Sequence, residues 1–159
     1  MTTESVADDG ERIADLASSA GLTVAVAESL TSGAIASALG AAPGAADWFA
    51  GGVVAYSEQV KFVVLGVTPG PVITASCAEE MASGVGRLLG AGMVVSVTGA
   101  GGPGPQEGHD AGTVFLAHGR PDSLRVDELH FDGDPEQVVH ATVDAALRAL
   151  AGDLEEARR

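Results

Sequence analysis

Hydrophobic positions along this chain change their period several times, and each change marks an element. Ile13, Leu16, Ala17 and Ala20 recur at helical spacing, and Gly21 stands where a helix would stop. Leu22 to Ala27 (LTVAVA) is a short apolar run with β-branched residues and predicts a buried strand. Thr31 or Ser32 is placed to cap a following helix that runs through Leu39. Phe49 to Tyr56 (FAGGVVAY) predicts a second strand, Ser57 a cap for a short helix over Glu58 to Leu65, and Gly66 the end of that helix. Beyond the turn signalled by Pro69, Gly70 and Pro71, the stripe of Cys77, Met81, Val85, Leu88 and Leu89 predicts a helix opened by Thr74 or Ser76. Met93 to Thr98 (MVVSVT) predicts a third strand, and the glycine- and proline-rich Gly99 to Gly112 a loop. Thr113 to Ala117 and Leu124 to Phe131 predict a hairpin turning through 119–122, and Val139, Val143, Ala146, Leu147 and Leu150 stripe a final helix.

Helices alternating with strands over the first two thirds of the chain imply right-handed crossovers and a largely parallel sheet, to which the late hairpin adds an antiparallel edge. Parallel strands need both faces covered, so the fold class is α/β: a three-layer sandwich with helices on both faces. A length of 159 residues favours one domain over 1–159, with frayed tails at 1–8 and 153–159. No repeat, low-complexity segment or linker divides it.

Composition narrows the function classes. Eight Lys and Arg against 22 Asp and Glu leave a formal charge of −14, which repels phosphate backbones and anionic lipid, so neither nucleic acid nor membrane is an expected partner. The one cysteine, Cys77, excludes an intrachain disulfide and a cysteine-based zinc site. No apolar run is long enough to cross a bilayer, and the first residues are acidic and polar where a signal peptide would be basic and then apolar. The chain therefore reads as cytoplasmic. His109, His118, His130 and His140 show no spacing with acids that suggests a metal site, and no catalytic metal or cofactor is expected. Cys77 reads as core, and Trp48 with Phe49 as packing under the second strand.

Three segments carry candidate chemistry: AESLTSG at 27–33, GGVVAYSEQVK at 51–61 and VTGAGGPGP at 97–105. All follow predicted strands, and in an open α/β sheet ligands gather outside the carboxyl ends of the strands. Ser29 lies between a strand and a helix start, where it can serve as a nucleophile or as a turn or capping hydroxyl; the flanking Ala27 and Thr31 do not form a G-x-S-x-G elbow. Glu28 is either a solvated turn residue or a polar group of the site. Tyr56 and Lys61, the one tyrosine and the one lysine, stand five residues apart at a strand-to-helix junction. Because helical side chains lean toward the helix N-terminus, Lys61 can reach back to the strand end. An exposed lysine beside a core tyrosine is the other reading. GAGGPG at 99–104 matches the dinucleotide fingerprint in letters only, since prolines and polar residues follow where a helix is needed. Its N–H groups remain able to hold an anion or leave room for a flat ring.

AESLTSG, WFAGGVVAYSEQVK followed by LGV, EEMASGV, SVTGAGGPG and GTVFLA, in this order over about 20–118, together resemble the CinA C-terminal domain family. Stand-alone members of that family deamidate nicotinamide mononucleotide to nicotinate mononucleotide and ammonia. The resemblance implies that activity here, on a small-molecule nucleotide substrate, without metal or redox cofactor and in a homo-oligomer, expected to be a dimer. Some members of that family are fused to an N-terminal nucleotide-processing domain, and a length of 159 residues is expected to leave no room for one here. Carried over by motif, Ser29 is the nucleophile, Lys61 the base aided by Tyr56, and Thr31, Thr98 and the loop holding Gly99, Gly101 and Gly102 line ring and sugar. Where the family commonly reads G-D-R, with an arginine in the following helix, this chain has Gly133, Asp134 and Pro135, then Val139 and His140. A phosphate would then lean on backbone N–H groups, helped by His140. A non-catalytic nucleotide-binding or regulatory domain of the same fold is the alternative from another class; a dinucleotide oxidoreductase fails the glycine and tyrosine spacings.

Overall fold

The structure, a computed structural model, describes residues 3–159. In chain order the elements are α1 (Thr3–Ala20), β1 (Val24–Glu28), α2 (Ala34–Gly40), α3 (Ala45–Trp48), β2 (Phe49–Val54), α4 (Glu58–Leu65), α5 (Ala75–Leu89), β3 (Met93–Gly99), β4 (Thr113–Arg120), β5 (Ser123–His130) and α6 (Pro135–Ala157). One five-stranded sheet runs in the order β2-β1-β3-β4-β5. Its centre, β2, β1 and β3, is parallel, and β4 and β5 add the antiparallel edge expected of the hairpin.

Alternation along each strand sorts the core into two halves. Val24, Val26, Met93, Val95, Val97, Val114 and Leu116 face α1, α2, α3 and α6, where Ile13, Leu39, Trp48, Leu147 and Leu150 complete one cluster. Ala25, Ala27, Val94, Phe115 and Ala117 face α4 and α5, where Leu65, Cys77, Met81 and Val85 complete the other. Both halves are filled by buried apolar side chains, of which each valine, leucine, isoleucine, phenylalanine or methionine stabilises the fold by about 1.5–3 kcal/mol when fully buried. Gly84 lets the second layer close. A Cβ built there would lie 2.1 Å from the Leu65 carbonyl oxygen, so any side chain would push α5 away from the end of α4.

Local signals explain most boundaries. Ser57 caps α4 by accepting the Val60 N–H, Thr74 caps α5 by accepting the Cys77 N–H, and Gly66 ends α4 in the left-handed region. Asp134 and Gln137 form a capping box ahead of α6, with Pro135 in its first turn. Several expectations are corrected. Residues 3–8 are not a frayed tail but the first turns of α1; residues 1 and 2 lie outside the described residues. Nor do 153–159 fray as a whole: α6 continues to Ala157, with Asp153 and Leu154 buried. Leu88 falls on the exposed side of α5, and Ala78 and Ala82 take the core positions beside Cys77, Met81 and Val85. Helix α2 begins at Ala34 with Gly33 as its cap residue, so neither Thr31 nor Ser32 caps it. No helix among the described residues is long and apolar enough to cross a membrane.

Candidate active site

Sheet register assembles the site. Glu28 at the end of β1 pairs with Val54 at the end of β2, and the Ala55 N–H donates to the Glu28 carbonyl at 2.7 Å. Ser29 therefore leaves the sheet beside Ala55 and Tyr56. The first turn of α4 then turns Lys61 back onto this strand end, as the lean of helical side chains requires.

Lys61 is 2% exposed, the bulkiest of the fully buried side chains. Its Nζ donates to Ser29 Oγ at 3.0 Å, to the Ala55 carbonyl at 2.7 Å and to the Tyr56 carbonyl at 3.2 Å. None of these acceptors is charged. Burial pushes the ammonium below its usual range, opposed by Cys77 where its thiol is ionised and by Glu58 and Glu107. The thiol of Cys77 is itself pushed up to about 11 by burial, so near neutrality it carries no charge to pair with the lysine. Three ammonium protons match three acceptors; once one proton leaves, the two carbonyls, which can only accept, retain the two remaining N–H groups. The nitrogen lone pair is then left facing Ser29 Oγ.

Glu28 has a role that spacing did not reveal. Fully buried, its carboxylate accepts the Thr31 hydroxyl at 2.6 Å and the Ile35 and Ala36 N–H groups at 2.9 Å each. It thus caps α2 from seven and eight residues away, using its charge where the helix dipole is positive. Neither Glu28 nor Thr31 lines the cleft; both hold the turn that presents Ser29, together with Ser32 and Gly33 in left-handed conformations.

The cleft above Ser29 measures about 370 Å³ and is lined by the carboxyl-edge loops, by the 72–73 segment and by the start of α6. Among the expected residues, Ser29, Tyr56, Lys61, Thr98, Gly99, Gly101 and Gly102 line it. Tyr56 differs from expectation in how it takes part. Its side chain is 68% exposed at the rim, and the atom that meets Lys61 is its carbonyl oxygen. Thr98 is buried and donates its hydroxyl to the Val72 carbonyl at 2.7 Å, which fixes a wall of the cleft. Gly99 is small because β4 lies against it: a Cβ there would stand 2.5 Å from the Thr113 carbonyl oxygen. His140 is not in the cleft. One residue before it on α6, Val139 lines the cleft, whereas His140 faces a separate groove between α1, α2 and α6. The expectation that His140 helps hold a phosphate is corrected accordingly. No arginine lines the cleft either; Arg12, Arg125 and Arg148 pair with Glu155, Glu156 and Asp144 elsewhere.

Residues that the sequence did not single out are Leu30, Glu58, Val72, Ile73, Gln106, Glu107, Pro135 and Val139, all of which line the cleft. For all but Gln106 and Glu107, which lie in the middle of the loop after β3, the shared signal was closeness in sequence to a strand end or a helix start at the carboxyl edge. Among the described residues no cluster of three His, Cys, Asp or Glu side chains suits a metal ion.

A buried lysine aimed at a serine, set in a cleft at the carboxyl edge of a mixed sheet, defines an α/β domain with a serine–lysine pair. The CinA C-terminal domain profile matches residues 7–154. A Desulforamulus reducens protein named as competence-damage inducible is 39% identical over 151 residues, covering 89% of this chain and 37% of that protein. A Frankia casuarinae CinA-like protein is 37% identical over 139 residues, covering 82% of this chain and 32% of that protein. The chain thus spans about a third of the length of these curated relatives. A crystal structure of a competence-damaged protein (CinA) superfamily member from Klebsiella pneumoniae superposes with a TM-score of 0.91 at 31% identity, covering 95% of this chain and 98% of that one. The chain belongs to the CinA C-terminal domain family.

Proposed function

We propose that the cleft hydrolyses the carboxamide of nicotinamide mononucleotide, releasing ammonia and nicotinate mononucleotide. The observation that carries this reading is the Lys61 Nζ to Ser29 Oγ contact of 3.0 Å, with both remaining Nζ donors held by main-chain carbonyls. Neutral Lys61 takes the Ser29 proton as Oγ attacks the carboxamide carbon. The tetrahedral adduct collapses when the C–N bond breaks, and Lys61 returns its proton to the departing nitrogen, which leaves as ammonia. Water then attacks the acyl-serine, Lys61 accepts one water proton and passes it to Ser29 Oγ as the acyl C–O bond breaks, and the carboxylic acid released gives its proton to solvent or ammonia. Ser29 and neutral Lys61 are thereby restored. A lysine can serve as such a base near neutrality when burial lowers its affinity for a proton, which is the direction found here.

The test is to incubate metal-stripped protein with nicotinamide mononucleotide and to measure ammonia together with nicotinate mononucleotide. Equimolar appearance of both supports the reading. Binding of the mononucleotide without release of either product would instead favour a nucleotide-binding domain that does no chemistry.

A further inference from the structure

One acidic residue of the cleft is held in an unusual way. Gln106 and His109 exchange both backbone hydrogen bonds, at 3.0 and 2.9 Å, and the two residues between them, Glu107 and Gly108, have φ of 50° and 76°. This is a two-residue turn of the type that needs positive φ at both central positions, where Asn, Asp and Gly are the common occupants. A glutamate there is strained. What holds it is its own carboxylate, which accepts the Val72 N–H at 3.0 and 3.1 Å and the Ile73 N–H at 2.7 Å. The base of the turn is steadied by the edge of the His109 ring against Phe115. Backbone strain offset by such fixed partners occurs where a functional group must be kept in place.

The charge of that group matters because of what surrounds it. The cleft is lined by Glu58 and Glu107 and by no cation except Lys61, whose proton affinity burial lowers. With Lys61 neutral and acting as base, the lining carries two negative charges and no positive one. Two backbone N–H groups hold the carboxylate of Glu107 without neutralising it.

We propose that Glu107 is a specificity-determining residue of this cleft, presenting a fixed negative charge that selects carboxamides attached to a positively charged ring, such as N-substituted pyridinium compounds, over neutral rings of the same shape. The inference rests on the cleft being the amidase site, and it adds the residue that reads the positive charge of the ring. It also accounts for a cleft without arginine. Recognition that draws on the charge of the ring needs no guanidinium on a phosphate.

Binding is measured by calorimetry on the Ser29→Ala protein, which does not turn over, using nicotinamide riboside and benzamide riboside. The second compound replaces the ring nitrogen by carbon and is neutral. At low salt the cation is expected to bind at least about tenfold more tightly, and in a Ser29→Ala, Glu107→Gln double variant the preference is expected to fall to about threefold or less. Glutamine keeps an acceptor for the Val72 and Ile73 N–H groups, so a change in overall placement would weaken both compounds alike and leave their ratio. If the double variant does not fold, a salt titration without the second substitution decides the matter: a preference that shrinks as salt rises supports the role of charge. Equal affinity for the two compounds at low salt, a preference indifferent to salt, or an unchanged ratio in the double variant overturns the proposal. Cation preference without ammonia from the unsubstituted protein overturns the amidase reading alone; ammonia release without cation preference overturns this inference alone.

Discussion

Two buried bases sit at opposite ends of the sheet, and their surroundings differ in one respect. At the carboxyl edge, Lys61 meets a hydroxyl and two carbonyls. At the far end of β4, buried His118 meets Asp153 through Nδ1 at 2.7 Å and Asp127 through Nε2 at 3.1 Å, and its protonated ring donates to both. Both side chains are out of water, yet they shift in opposite directions. Burial lowers the lysine because no anion touches it. The hydrogen bond to Asp153 raises the histidine, and the Asp127 contact adds to it, against the pull of burial. A buried base flanked by neutral dipoles can release its proton and work; one held between carboxylates keeps its proton and acts as a tie. Here the tie joins α6 to β4 and β5, and Arg125 with Glu156 bridges the same elements nearby.

Substitutions should separate the two regions. The largest effect is expected at the carboxyl edge: Ser29→Ala and Lys61→Ala each reduce ammonia release by about a thousandfold or more, with an unchanged unfolding midpoint for Ser29→Ala. Lys61→Arg is expected to be nearly as damaging, because a guanidinium keeps the charge and cannot shed the proton. An active arginine variant would break the comparison by making Lys61 an electrostatic anchor.

At the far end, Asp153→Asn is expected to cost about 2 kcal/mol of stability in urea unfolding at pH 6 while leaving ammonia release unchanged. A variant that lost activity at full stability would show that the two ends are coupled.

Acidity sharpens the contrast through the sign of each slope. The folded-state value of His118 lies above its ordinary 6.5, so its contribution is complete below about pH 6.5 and disappears as pH rises through the raised value. The folded-state value of Lys61 lies below its ordinary 10.5, so between the two the unfolded chain binds more protons and stability gains with rising pH. The rate should rise with pH over that lowered ionisation too. Unfolding midpoints of the unsubstituted protein and of Asp153→Asn, followed from pH 6 to 9, should converge as pH rises. Divergence would reverse the sign assigned to His118. The smallest effect is expected for Asp127→Asn, about 0.5 kcal/mol, because that carboxylate is more than half exposed and screened by water.

What the sequence disclosed followed from chemistry between near neighbours. Ser57 and Thr74 cap by bonding N–H groups three residues on, Gly66 ends a helix by its own conformation, and the reach of Lys61 to a strand end five residues back is a property of helical side chains. What it hid depended on distance or on phase. Glu28 caps a helix whose first free N–H groups lie seven and eight residues away across a turn, a pairing that no local pattern encodes. His140 fails to reach the cleft by one position, because a single helical step swings a side chain by about 100° and leaves Val139 in its place. The C-terminal residues looked like a polar tail, yet Asp153 is buried because His118, from a strand remote in sequence, waits for its charge.

The atoms that orient Lys61 have a further consequence, for descent. In a triad whose histidine is aligned by an aspartate side chain, one codon change can remove the aligning group. Here the aligning oxygens belong to the peptide units of residues 55 and 56, and every amino acid carries that oxygen. A change of side chain at either position leaves that oxygen in place, although Ala55 is itself held to a small side chain by its burial in the core. Alignment of the proposed base is thereby entrusted to the course of the main chain rather than to a third side chain.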